Sequence, residues 1–217
     1  MTLYSYCLRY DDGAAPNPYW GICTLTICKP AIRRTARVGD WVVGLGSANS
    51  PVGDVSASVV YAMRISRKMT LTEYDTYCRS SLRNKIPSWR HSDFRRWVGD
   101  CIYDYSRGSP PRMRQGVHGP DNRKRDLGGR YALLSDYFYY FGDRLIPLPP
   151  SLEPIVHRTQ GHKSIANDPF VDRFVHWIGT RGYEPKVLLG ERQLKPQLVL
   201  QHDIRGKCST HDPTEDD

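Results

Sequence analysis

The densest run of chemistry-bearing side chains is His118-Gly119-Pro120-Asp121-Asn122-Arg123-Lys124-Arg125-Asp126, followed by Gly128-Gly129-Arg130. It places one titratable imidazole beside two carboxylates and several cations. His118 could act as a general base, with Asp121 or Asp126 orienting its ring. A phosphate-binding loop is an equally natural reading, because glycine-rich backbone and arginine both favour anions. Gly161-His162-Lys163-Ser164 repeats the idea on a smaller scale. The candidate acid/base set is therefore His118, Asp121, Asp126 and His162, with Asn122 and Arg125 as ligand contacts.

Two earlier clusters carry binding rather than proton-transfer chemistry. The first joins Asn17-Pro18-Tyr19-Trp20 with Cys28-Lys29-Pro30 and Arg33-Arg34. Adjacent arginines point to different sides of a short helix, so one can pack inward while the other meets an anion. The second is Gly39-Asp40-Trp41-Val42-Val43-Gly44-Leu45-Gly46-Ser47. Glycines at a strand end admit a flat ring close to the backbone, and Trp41 could stack on it. From these clusters come the ligand candidates Asn17, Trp20, Lys29, Arg33, Arg34, Trp41 and Ser47.

The six cysteines, Cys7, Cys23, Cys28, Cys78, Cys101 and Cys208, form no C-x-x-C pair. Cys23 and Cys28 are an odd number of residues apart and fall on opposite faces of a strand. Zinc and disulfides are disfavoured, and the cysteines read as small buried hydrophobes. No metal and no cofactor is expected. The sequence has no G-x-S-x-G, no H-E-x-x-H, no Cys/His pair in a recognisable frame and no P-loop or dinucleotide fingerprint.

These residues must be positioned by short elements. Tyr4, Tyr6, Leu8 and Tyr10 alternate with Leu3, Ser5, Cys7 and Arg9, which predicts a strand. Residues 21–28, 41–47 and 58–66 read as further strands, with Ala31 to Arg37 as one or two helical turns behind Pro30. Thr70 and Glu73 fit a capping box that opens a helix over about 71–83. Residues 130–141 predict two short strands around Ser135-Asp136 or one bent strand. Asp168-Pro169 predicts a helix start with Gly179 as its stop. Strands are expected near 187–189 and 197–202. The fold class is α+β: a small curled sheet or a PUA-like β-barrel, flanked by a few helices and carrying an irregular basic insertion at about 79–117. Residues 1–207 read as a single domain, and 208–217 as a disordered acidic tail.

Of the 217 residues, 31 are Lys or Arg and 23 Asp or Glu, a formal charge of +8. Residues 79–130 alone hold 13 basic and 5 acidic side chains, so the excess sits there. Such a balance favours a polyanionic partner. No apolar run is long enough to cross a membrane, the N-terminus has no signal-peptide pattern, and a cytoplasmic location is expected.

The run Tyr4-Ser5-Tyr6, Arg9-Tyr10-Asp11, Ala15-Pro16-Asn17-Pro18, Cys23-Thr24-Leu25, Cys28-Lys29-Pro30, Ile32-Arg33-Arg34-Thr35 and Gly39-Asp40-Trp41-Val42 resembles the nucleotide-modification-associated domain family, second type. His118-Gly119-Pro120-Asp121-Asn122, Arg125-Asp126, Leu133-Leu134-Ser135, Tyr140-Phe141-Gly142 and Gly161-His162 extend the resemblance over nearly all of residues 1–180. It implies a role in making, reading or cutting modified nucleic acid in bacteria and phages, within a modification or defence pathway, and carries over no catalytic set. The element order is also similar to the PUA-like superfamily, whose EVE and YTH domains hold a modified base. That analogy gathers Asn17, Arg33 or Arg34, Trp41 and Ser47 around one pocket.

Two functions follow as expectations. One is a binding module that holds a modified base while the arginine-rich insertion grips phosphate. The other is an enzyme on nucleotides or modified bases: a transferase, glycosylase or nuclease. The partner is nucleic acid, DNA before RNA, or a nucleotide. A protein partner through residues 84–116 is a third option, and no membrane is expected.

Overall fold

The computed structural model describes residues 1–194 except 10, 51 and 160. The predicted strand at 197–202 and the acidic tail lie outside the described residues. Strands β1 (Leu3–Cys7), β3 (Trp41–Leu45), β4 (Ser58–Arg64), β9 (Tyr137–Tyr140) and β10 (Ile146–Pro147) form one sheet. β1 and β3 run parallel, whereas β4 is antiparallel to β3, β9 and β10. A second sheet has the order β2 (Cys23–Leu25), β8 (Tyr131–Ser135), β5 (Arg67–Thr70), all antiparallel. A short ribbon joins β6 (Tyr103–Asp104) to β7 (Arg112–Met113).

The fold is α+β, but its sheets do not close into a barrel. The expected barrel alternative gives way to layers. Period-2 alternation explains them. Leu3, Trp41, Val43 and Leu45 face helix α4 (Val171–Gly179), which buries Val171, Phe174 and Ile178. Tyr4, Tyr6, Val42 and Met63 face the other way, onto Cys23, Leu25 and Leu133 of the second sheet and Ile32 of helix α1 (Pro30–Thr35). The second sheet's outer face, Ala132 and Leu134, is covered by Leu71, Tyr74 and Cys78 of helix α2 (Leu71–Ser81). Each fully buried apolar side chain of this kind is worth roughly 1.5–3 kcal/mol.

Two chain segments cross between the sheets. β4 runs on into β5, and β8 into β9 at Asp136, as the aromatic run predicts. Ser135 Oγ ties this bend, donating to Arg64 O at 2.7 Å.

Local signals hold where chemistry is local. Thr70 and Glu73 form the capping box, with Glu73 N–H donating to Thr70 Oγ1 at 3.2 Å and Thr70 N–H to Glu73 Oε2 at 2.7 Å. The Asp168-Pro169 start does not hold: residues 165–170 form a 3-10 turn, Asp168 caps nothing, and α4 begins at Val171. The expected strand at 187–189 is a single bridge, Tyr140 to Leu188.

The segment at 79–117 is built into the core instead of hanging from it. Val98, Ile102, Tyr103 and Val117 pack with Ala14, Tyr19 and Ile27. Lys85 is fully buried, and its ammonium donates to Asn17 O, Asn17 Oδ1, Ile22 O and Thr24 Oγ1 at 2.7–2.9 Å. Burial pushes its pKa down to about 8, with Asp100 opposing the shift.

Candidate active site

Helix α1 is short and starts at Pro30, whose fixed φ suits the first helical position. The two residues before it are left-handed, Cys28 at φ 57° and Lys29 at φ 39°. For residues with a side chain this conformation costs roughly 1–2 kcal/mol each. The surroundings hold it. Cys28 N–H donates to Asp126 Oδ1 at 2.9 Å, and Arg33 Nε donates to Cys28 O at 2.8 Å. The chain thus leaves the β2 segment, turns sharply at a cysteine and enters a helix.

Arg33 anchors the turn from below. It is fully buried, and its guanidinium also donates to Thr26 O (2.6 Å), Tyr131 O (3.0 Å) and Asp126 O (2.5 Å). Burial lowers its pKa to about 10, so it stays charged at neutral pH. A Cβ on Gly129 would overlap the guanidinium, which is why the backbone there carries no side chain.

Helix α3 (Arg123–Gly128) brings Asp126 over this turn. The carboxylate is buried, and three donors reach it: Cys28 N–H, Tyr103 O–H at 3.0 Å and His118 Nδ1 at 2.6 Å. Burial alone would raise its pKa, but the His118 pair, the Arg33 charge and the Cys28 N–H together hold it below the usual carboxylate range. An ionised carboxylate only accepts, so His118 Nδ1 carries the proton. In the neutral ring Nε2 is then an acceptor, and it sits 3.4 Å from Cys28 Sγ. Burial, then the Asp126 charge, push the Tyr103 phenol up, which keeps it a donor.

Cysteine, histidine and aspartate therefore form one hydrogen-bonded chain, Cys28 to His118 to Asp126. Such a constellation supports nucleophilic chemistry whatever its sequence order. His118 and Asp126 were legible as a local pair; Cys28 and Tyr103 were not. The signal for Cys28 is a cysteine between a strand and a proline-led helix.

Next to Lys29, residues 161–163 bridge to β1 through Ser5 and Lys163, which exchange backbone bonds at 3.0 and 2.8 Å. This lays the His162 ring against Tyr4, with centroids 5.6 Å apart. Lys29 Nζ lies 4.6 Å over the Tyr6 ring and 3.4 Å from Gly161 O. Tyr6 is raised well above the usual phenol range, by burial first, with Cys28 among its nearby groups.

The other sequence candidates do not converge here. Trp41 lies on the α4 side of the large sheet, edge-on to Tyr137 and Phe174, so the sheet separates it from Arg33. Cβ atoms on Gly44 and Gly46 would run into Tyr61 and Val55; side chain and backbone already fill that space. Asn17 is buried on Val98 O and Lys85. Ser47 Oγ accepts from Asn49 N–H, and Trp20 stacks under Arg95 at 4.7 Å. Arg34 is exposed and donates to Gly128 O. Asp121 is exposed, Asn122 Oδ1 accepts from Gly119 N–H, and Arg125 is half-buried on α3. Among the described residues no group of three or more His, Cys, Asp or Glu could hold a metal ion.

A family model described as nucleotide modification associated domain 2 matches residues 1–191. The chain belongs to this family. The nucleotide modification associated domain thus spans every element described above, including the segment at 79–117 and all three members of the Cys28–His118–Asp126 chain. Comparison with curated proteins and with solved structures returns no match. No helix among the described residues is long and apolar enough to cross a membrane.

Proposed function

We propose that this domain is a thiol-dependent enzyme of nucleotide modification, with Cys28 as nucleophile, His118 as general base and Asp126 as the group that orients it. The observation that carries the reading is the Cys28–His118–Asp126 chain, with Nε2 3.4 Å from the sulfur. His118 Nε2 takes the thiol proton. The thiolate then forms a bond to an electrophilic carbon of the nucleotide or modified base. The bond to the leaving group breaks, and His118 returns the proton to it. Water or a second nucleophile, deprotonated by His118, next cleaves the carbon–sulfur bond and frees the enzyme.

A binding module for a modified base has weaker support. It needs an exposed ring face beside polar side chains, and the residues that would supply it are spread over both sides of the large sheet. At least five of the eleven arginines of 79–130 are also engaged with neighbouring acceptors. Arg114 pairs with Asp75 and Asp104, Arg79 with Asp75 and Arg95 with Asp93, while Arg96 and Arg123 donate to nearby oxygens. Arg83, Arg90, Arg107, Arg112, Lys124 and Arg130 remain exposed for nucleic-acid contact.

The test is incubation with nucleotides and with modified DNA, followed by intact-mass analysis and peptide mapping. An adduct or turnover that maps to Cys28, with Cys28→Ser and His118→Ala slowed by at least about 10²-fold, is the expected result. Turnover that survives in Cys28→Ala would sink the proposal.

A further inference from the structure

We propose that Lys29 and His162 form a phosphate subsite adjoining Cys28, so that the substrate is held by a nucleotide phosphate while its reacting carbon lies over the sulfur. This rests on the thiol-enzyme reading above and adds the anchoring group. Three segments converge there, and each is placed by an independent contact. β1 presents Tyr4 and Tyr6 on one face by its two-residue period. Their rings are buried, at 6% and 1% exposure, under the residues that cover them. Lys29 follows Cys28 directly, and its ammonium rests over Tyr6. His162 rests over Tyr4, fixed by the Ser5–Lys163 backbone bridge on one side. Asn167 Nδ2 holds the same bridge through Ser5 Oγ at 2.9 Å and Lys163 O at 3.2 Å.

Two neighbouring tyrosines of one strand face therefore bear an ammonium and an imidazole side by side. Both groups are half-buried, and Lys29 Nζ lies 3.4 Å from the carbonyl of Gly161, the residue before His162. The three segments 3–7, 28–34 and 161–166 contain no Asp or Glu to offset the Lys29 field, and the Asp126 carboxylate that accepts from Cys28 N–H is also held by His118 and Tyr103. Partial burial strengthens such a field relative to water. The rings are covered, so this wall does not offer itself for base stacking; an anion is the chemistry it fits. Lysine binds phosphate as a point charge, and the imidazole adds a hydrogen bond.

The experiment measures alkylation of Cys28 by iodoacetamide, followed by peptide mapping, at fixed ionic strength set with chloride. Inorganic phosphate, deoxynucleoside monophosphates and a short single-stranded oligonucleotide are titrated in separate arms. Monophosphates are expected to slow alkylation at least fivefold at saturation. Lys29→Met and His162→Gln should each raise the half-protecting concentration about tenfold, a readout independent of their basal alkylation rates. Protection by monophosphates alone identifies a nucleotide in solution as the source; protection by the oligonucleotide as well extends the subsite to chain phosphates. Rapid alkylation with no protection in any arm overturns the subsite and leaves the thiol reading standing, as does protection undiminished in both variants. Alkylation of Cys28 no faster than in the denatured chain overturns both.

Discussion

Replacing Asp126 by asparagine removes one charge from a buried spot where three donors already point. The Oδ1 atom of the new amide can keep the Cys28 N–H bond of 2.9 Å. Its NH₂ group then stands where Oδ2 now accepts from Tyr103 and His118. Tyr103 can rotate its hydroxyl and accept. His118 must instead move its proton to Nε2, so that Nδ1 accepts, and Nε2–H then faces Cys28 Sγ with no lone pair for the thiol proton. The sulfur then has no base beside it to take its proton, and at about pH 6.5 ordinary thiols are roughly 1% ionised. Alkylation by iodoacetamide should therefore fall by about 30–100-fold at that pH and by less than about fivefold above pH 9, where ordinary thiols ionise unaided. Losing charge-assisted bonds should also cost the fold about 2–3 kcal/mol. The assay is the second-order alkylation rate against pH, read on the Cys28 peptide, with denaturant midpoints in parallel. Equal rates for Asp126→Asn and the parent near pH 6.5 would refute the inference that this carboxylate sets the tautomer that activates the thiol.

Two further perturbations address the support around the site. Asp11 is buried, and burial raises its pKa to about 7 against the Tyr140 hydrogen bond. The folded chain keeps this proton where the unfolded chain releases it, so stability is fully present below about pH 4 and is lost as pH rises through about 7. Asp11→Asn should raise the denaturant midpoint at pH 8 by the equivalent of roughly 2–4 kcal/mol, with the advantage vanishing near pH 4; no gain at pH 8 would count against it. Gly129→Ala sets a methyl group against the Arg33 guanidinium. It should destabilise the fold by about 1–3 kcal/mol, as overpacking does, and slow Cys28 alkylation. A variant with parent stability and parent reactivity would show that Arg33 does not hold the turn.

What the sequence discloses depends on how far apart the partners are. The Thr70–Glu73 capping box and the bend at Ser135–Asp136 are settled within a few residues, and both are legible. The His118–Asp126 pair spans eight residues and is legible as an option. Cys28 is not, because its partners lie 90 and 98 residues away and no local motif announces them. The stretch at 79–117 lacks hydrophobic periodicity and so reads as an irregular insertion. Its anchors are polar: Lys85 in a cage of carbonyl and hydroxyl oxygens, and Asp100 bonded to Thr24 and Tyr74. Arg33 shows the same limit. Beside Arg34 it reads as an anion-binding candidate, whereas burial turns it into a clamp for four carbonyls.

The separation of 90 residues between the sulfur and its base also has a kinetic side. Contacts that close long loops form late, after the local helices and neighbouring strands are in place. A chain emerging from synthesis carries Cys28 well before His118 and Asp126 exist to act on it. On the reading proposed above, Cys28 therefore reacts as an ordinary thiol throughout assembly, and enhanced reactivity appears only when the last long-range contacts close. Alkylation of Cys28 thus doubles as a clock for completion of the fold.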